Sequence, residues 1–251
     1  MDQRFEPLPN NIMKIVYILG AGHCGSTLLD MLLNGHSRIQ GLGEAGRKTD
    51  PPSLLQMIGI RLGLNKKPRQ VRYAANHLKY IACVGRITGK AFLVDSSKFW
   101  QRLLLLSTVT TDIKVIHLVR DGRGILNSYD KKYGRFFYGL IRWLSPTFMA
   151  ILLKMKFKEK DWLQVHYEEL AENPETTLRK ICRFLDLAFE PAMLRFREHH
   201  YTGQGGNRMR SGTDAKIRLD DSWHGQLPVP KKLLFSLLGG WLNRYYGYPF
   251  F

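Results

Sequence analysis

Residues 20–27 read GAGHCGST, after the apolar run KIVYIL (14–19) and before a stretch (25–33) with leucine and methionine at helical spacing. A glycine-rich turn between a strand and a helix aims backbone N–H groups and a helix N-terminus at one point, which suits an anion. Gly20 and Gly25 are spaced as in a nucleotide-binding P-loop, but Ser26 stands where that loop carries its lysine. The loop therefore keeps the means to hold a phosphate without the charge that grips the outer phosphates of ATP or GTP. That argues against an ATPase or kinase; the bland alternative is an ordinary glycine-rich turn. A second group is Arg120 with Ser128. Arg120 closes the apolar run KVIHLV (114–119), and Ser128 falls on the helix expected over 122–131. An arginine at a strand's C-terminal end lies where open α/β sheets bind ligands, and the serine could share a phosphate with it. The alternative is a salt bridge from Arg120 to Asp121 or another carboxylate.

The elements that must position these residues are short buried strands alternating with helices. Strands are expected at 14–19, 91–94, 114–119 and 162–167. Asn173 followed by Pro174, with Glu175 in the first turn, marks a helix start, and Leu178, Ile181, Cys182 and Leu185 line one face beyond it. This alternation predicts an α/β fold of three layers, a mostly parallel central sheet flanked by helices, resembling P-loop nucleoside triphosphate hydrolases. The 251 residues suit one domain, 1–251. Within it, 1–12 reads as a polar tail and 134–160 as a variable apolar and basic insertion. Segment 202–227 is irregular, glycine-rich and long enough to suggest a function.

The net charge of +17, from 38 Lys+Arg against 21 Asp+Glu, implies anionic partners. Three cysteines form neither a disulfide framework nor a metal-ligand pattern, which predicts a reducing, cytoplasmic setting. The N-terminus lacks a signal peptide's apolar core. The longest apolar stretch, 136–157, is broken by Arg142, Lys154 and Lys156 and is not expected to span a membrane.

With these motifs in place, the chain resembles the sulfotransferase superfamily. Gly22, His23, Cys24, Gly25, Ser26 and Thr27 match the family's Pro-Arg-Ser-Gly-Thr/Ser-Thr loop for the 5′-phosphosulfate, with His23 in place of the arginine. Arg120 and Ser128, in HLVRDGRGILNSY, match its 3′-phosphate motif, and Arg123 a common but less critical position. The stretch 165–187 matches its "YEdLv..P..tl..i..FLgL" pattern. The resemblance implies a 3′-phosphoadenosine 5′-phosphosulfate (PAPS) donor, no required metal, and transfer of a sulfuryl group to an acceptor hydroxyl. Lys98, in VDSSK, resembles the lysine that neutralises the leaving phosphate; otherwise it is a solvated lysine. Glu44, in NGHSRIQGLGE, resembles the glutamate base of the family's His-Pro…Gly-Glu stretch, with Ser37 replacing the proline. Such a base needs its pKa raised by burial; otherwise Glu44 ends a short strand at the surface. His36 is the reserve base. His23 would donate a hydrogen bond, or a charge if an adjacent anion raised its pKa. In GGNRMR and DDSWHGQL, Arg210 would add a 3′-phosphate contact and Trp223 would pack near it, with Arg208 standing where proline is usual.

The acceptor is less legible. Segment 136–160 suits an anionic membrane surface, a lid over a lipid-like or aromatic acceptor, or a core helix with a charged end. The composition leans toward an apolar or glycolipid hydroxyl, with the donor and acceptor as partners and no nucleic acid. Two other readings explain less: a P-loop ATPase or kinase accounts only for the loop, and a basic membrane- or nucleic-acid-binding protein only for the charge.

Overall fold

Strand β1 (Lys14–Leu19) is buried and apolar after Lys14 because helices cover both of its faces. In the computed structural model, which describes residues 13–45, 68–206, 208–212 and 216–250, β1 is the centre of a five-stranded parallel sheet. Its neighbours are β3 (Phe92–Lys98) and β4 (Ile113–Val119); β2 (Ile39–Gly41) and β5 (Trp162–His166) form the edges, in the order β2-β3-β1-β4-β5. The pleat of β1 divides the core. Val16 and Ile18 pack with α1 (Ser26–Asn34), α4 (Gly122–Tyr133), α7 (Pro174–Phe184) and α9 (Val229–Tyr245). Ile15, Tyr17 and Leu19 pack with α2 (Pro68–Thr88) and α3 (Trp100–Leu106). Helix α5 (Phe136–Lys154) reaches both layers, sending Phe136, Leu140 and Trp143 into the first and Ala150 and Leu153 into the second. The three-layer α/β expectation therefore describes the chain.

Several boundaries differ from the sequence expectation. Strand β3 does not stop at Val94 but runs through Asp95, Ser96 and Ser97, polar residues buried because each has partners inside. Strand β5 ends at His166, and Tyr167 opens a short helix, α6 (Tyr167–Glu172). Asn173 does precede α7, but its side chain makes no capping hydrogen bond; only its carbonyl joins the helix, accepting from Thr177 N at 3.1 Å. Segment 202–227 contains a 3₁₀ turn (Arg208–Ser211) and the one-turn helix α8 (Trp223–Gln226). The expected tail 1–12 and the stretch 46–67 lie outside the described residues.

Candidate active site

The phosphate loop owes its shape to glycines that tolerate close neighbours. Gly25 precedes α1 with φ 93°, in the left-handed region, and a Cβ there would lie 2.5 Å from the Tyr167 ring. Gly22 is pressed in the same way against the Tyr129 hydroxyl. No N-cap side chain covers the start of α1, and its first turn opens on the cavity through Ser26 and Thr27. Gly22, His23, Gly25, Ser26 and Thr27 all line one cavity of about 700 Å³, of the size that holds a nucleotide. Cys24 does not. It is fully buried and turns inward against Gly20, so its expected part in the loop is reduced to backbone. His23 also has a left-handed backbone, φ 65°, and its ring meets Tyr129 edge-on at 4.7 Å. Burial, followed by the positive charges of Lys132, Arg120 and Lys98, lowers its pKa to about 4. Without an anion beside it the imidazole is therefore neutral at neutral pH.

Lys98 reaches the cavity through a bulge. Between the pairs Tyr17↔Asp95 and Leu19↔Lys98, β3 carries one residue more than β1, which re-aims its end. Asp95 fixes the bulge: its Oδ1 accepts from Ser97 N at 3.0 Å and Ser97 Oγ at 2.5 Å. Arg102 Nε donates to Asp95 Oδ2 at 2.9 Å, and His77 lies beside both. This network outweighs burial and holds the Asp95 carboxyl well below the usual range. Lys98 then takes φ 69° and extends its Nζ to Glu44 Oε1 at 2.5 Å. Glu44 is held by its backbone, which donates to Gln204 O at 2.6 Å, beside a parallel bridge between Gly43 and Gln204. So Glu44 is neither a solvated strand end nor an isolated carboxylate in an apolar pocket; it is the partner of Lys98.

Asp30, on α1, was not singled out by the sequence, yet it ties these pieces together. Its Oδ2 accepts from Gly43 N (3.0 Å), Ser96 Oγ (2.6 Å) and the Tyr201 hydroxyl (2.9 Å), binding the turn before Glu44 to the bulge before Lys98. Gly41 makes room for it, since a Cβ there would lie 2.5 Å from Asp30 Oδ1. Burial raises the Asp30 pKa to about 7.

Arg120, 6% exposed, donates from Nη1 to His23 O (2.9 Å) and from Nη2 to Asp220 O (2.6 Å) and Asp220 Oδ2 (3.0 Å). Its guanidinium lies 4.3 Å over the Tyr167 ring. It thus joins the phosphate loop to segment 202–227, pairing with Asp220 rather than Asp121. Asp121 caps α4 through Arg123 N and takes the Arg123 guanidinium at 2.6–3.2 Å, while Arg123 stacks 4.1 Å over Trp223. Ser128 lines the cavity, its Oγ donating to Gly124 O at 3.0 Å.

Three expected residues do not line the cavity, although Trp223 lies across Gly124 from Arg120. Arg210 is exposed and donates to Gly203 O at 2.6 Å, and Trp223 sits beneath Arg123, outside the cavity. His36 is buried and structural: Nδ1 accepts from Arg38 N, so Nε2 carries the proton and donates to Ala188 O at 3.0 Å. Arg208's side chain lies outside the described residues. Conversely, Lys132, Arg218 and Asp220 line the cavity without having been marked, since isolated charges between motifs have no spacing to flag them, and Arg142 joins them from the apolar and basic segment. Phe99, Trp100, Tyr133, Ile141 and Pro146 add apolar surface to the lining.

A family model described as "Sulfotransferase family" matches residues 16–191, well over half the chain. The chain belongs to the sulfotransferase family. It is 22% identical to protein-tyrosine sulfotransferase A of Caenorhabditis elegans over 76% of its length, and spans about half (53%) of that relative. It is also 22% identical to protein-tyrosine sulfotransferase 1 of Danio rerio, with 94% of this chain and 72% of that one covered. Among solved structures it is similar to the sulfotransferase domain of the Synechococcus PCC 7002 olefin synthase, with TM-score 0.70, 22% identity, and 98% and 99% of the two chains covered. Mouse sulfotransferase SULT7A1, solved with PAP, matches at TM-score 0.56 and 13% identity, covering 93% and 88%. The parallel sheet flanked by helices is the fold these sulfotransferases share.

Proposed function

We propose that the chain transfers a sulfuryl group from PAPS to the hydroxyl of an apolar or glycolipid acceptor, by in-line displacement in the cavity described above. The observation that carries this reading is convergence: a phosphate loop without its lysine, Arg120 and the Lys98–Glu44 pair all face one cavity. The loop amides, Ser26 and Thr27 would hold the 5′-phosphate, and Arg120 with Ser128 the 3′-phosphate. The loop is compatible with that role, because Gly22 and Gly25 let its backbone press against Tyr129 and Tyr167 and Gly25 takes the left-handed turn that starts α1 at the cavity.

Catalysis of such a displacement rests on position and on charge at the leaving oxygen. In this reading Lys98 exchanges Glu44 for the bridging oxygen when the donor binds. That exchange exposes the Glu44 carboxylate to the acceptor hydroxyl. As the acceptor oxygen bonds to sulfur, Glu44 takes its proton and the S–O bond to the phosphate breaks, leaving adenosine 3′,5′-bisphosphate. Lys98 balances the charge on that phosphate, and no step requires a metal. The partners are then the donor and a hydroxyl-bearing acceptor, not a nucleic acid. Phe99, Trp100, Tyr133, Ile141 and Pro146 favour an apolar acceptor body, with Lys132 and Arg142 beside it.

The test is transfer of labelled sulfuryl from PAPS to a panel of long-chain alcohols and glycolipids. Glu44→Gln is expected to lower kcat by about 10²–10⁴-fold, the usual worth of a general base, while bisphosphate affinity stays within a few-fold. Turnover by Glu44→Gln at the wild-type rate would remove the base assignment.

A further inference from the structure

Helices α5 and α9 are each packed on one side only. Helix α5 buries Phe136, Leu140, Trp143, Ala150 and Leu153 against the domain. On its outer side Phe137, Ile141, Phe148, Leu152 and Met155 follow at intervals of three, four and seven residues, one stripe of a helix, with Ile141 64% and Met155 82% exposed. Helix α9 repeats the arrangement. Phe235 and Leu242 face inward, while Val229, Leu233, Leu237, Trp241 and Tyr245 are exposed at every fourth residue, Leu237 at 76%. The stripes meet where the Phe148 and Trp241 rings touch edge to face, with centroids 6.2 Å apart. Together they form one apolar face, larger than scattered surface residues account for.

The charges on these helices are all positive, and Asp130 beside them is paired with Lys231 at 2.6 Å. Neither 131–158 nor 222–250 contains an aspartate or glutamate. Arg142, Lys154, Lys156 and Arg244 are exposed on and beside the two helices, in a chain of net charge +17. An apolar stripe rimmed by cations matches the boundary between headgroups and acyl chains in an anionic leaflet. A second copy of the same face would set cations against cations, which disfavours that occupant. Helix α5 is long and apolar enough to cross a bilayer, but its inner face is committed to the core, so it lies along the domain.

We propose that the α5–α9 face docks on the surface of an anionic lipid bilayer. Ile141, Arg142 and Pro146 belong to the same helix and line the cavity, so docking sets the cavity mouth at the membrane surface. An acceptor with an acyl chain then reaches the cavity without crossing water. The docking itself does not depend on the sulfuryl-transfer reading.

The experiment is flotation of the full chain with vesicles of phosphatidylcholine alone and with added phosphatidylglycerol. The protein is expected to float with the anionic vesicles and to be released as salt rises. Leu152→Glu with Leu237→Glu should lower the bound fraction at least about tenfold, because each places a carboxylate in the apolar contact. Lys154→Gln with Lys156→Gln should weaken binding to the anionic vesicles only. Adenosine bisphosphate binding, retained in both variants, would show that they are folded. Failure to float with anionic vesicles would overturn the proposal, as would flotation unchanged in the glutamate variant. So would a dimer dispersed by the same substitutions in a protein that binds no vesicles. Flotation by a protein that binds no bisphosphate would leave docking standing and remove the donor reading.

Discussion

A guanidinium as deeply buried as that of Arg120 must be surrounded by oxygens, or its burial costs several kcal/mol. Here those oxygens are the His23 and Asp220 carbonyls and the Asp220 carboxylate, and the last stands where the account places a phosphate. Asp220 is held ionised: burial works against it, but hydrogen bonds from Ser222 and Arg120 outweigh that and lower its pKa. A bound 3′-phosphate must therefore displace a carboxylate. Asp220→Asn should raise affinity for adenosine 3′,5′-bisphosphate by roughly tenfold, since the competitor loses its charge while the ligand keeps its own. Calorimetric titration of the variant reads this directly, and unchanged or weaker affinity would mean that Asp220 does not compete. Arg120 was legible in the sequence because it ends an apolar strand; Asp220 was not, because a carboxylate a hundred residues away meets it only through the fold.

Among the elements, α1, the turn after β2, β3 and Tyr201 converge on the Asp30 carboxyl. Burial raises its pKa from 3.8 to about 7, so between those values the folded chain holds a proton that the unfolded chain has lost. Its contribution to stability is full below about pH 4 and declines as pH rises toward 7. Asp30→Asn cannot titrate. Wild-type stability relative to the variant, from denaturant midpoints, should therefore fall across that window, and a constant difference would contradict the assignment. The same residue marks how far the pattern of elements could be read. β1, β4 and the helices after them were legible as apolar runs and helical periods. The polar half of β3 was not, because Asp95, Ser96 and Ser97 are buried by partners distant in sequence. Helix α9 was hidden by the paired glycines Gly239 and Gly240 and by apolar residues on both of its faces.

At the scale of the molecule, a charge of +17 favours the arrival of anionic ligands, and the cavity turns Lys98, Arg120, Lys132, Arg142 and Arg218 toward whatever enters. The loop, Lys98 and Arg120 were each legible as residues that follow an apolar run, but that they share a cavity depends on the order β2-β3-β1-β4-β5, which places β3 and β4 on either side of β1. The apolar part of the lining was not legible, because Trp100, Tyr133, Ile141 and Pro146 come from α3, α4 and α5 and meet by packing alone. Titration with adenosine 3′,5′-bisphosphate, with magnesium ATP as control and Arg120→Ala as the test variant, probes the proposed donor site most directly. Loss of the charged contact should weaken binding by about 1.5–3 kcal/mol, roughly 10- to 150-fold. Preference for the bisphosphate, weakened to that extent in Arg120→Ala, is the predicted result. Preference for magnesium ATP, or bisphosphate binding indifferent to the substitution, would contradict the account.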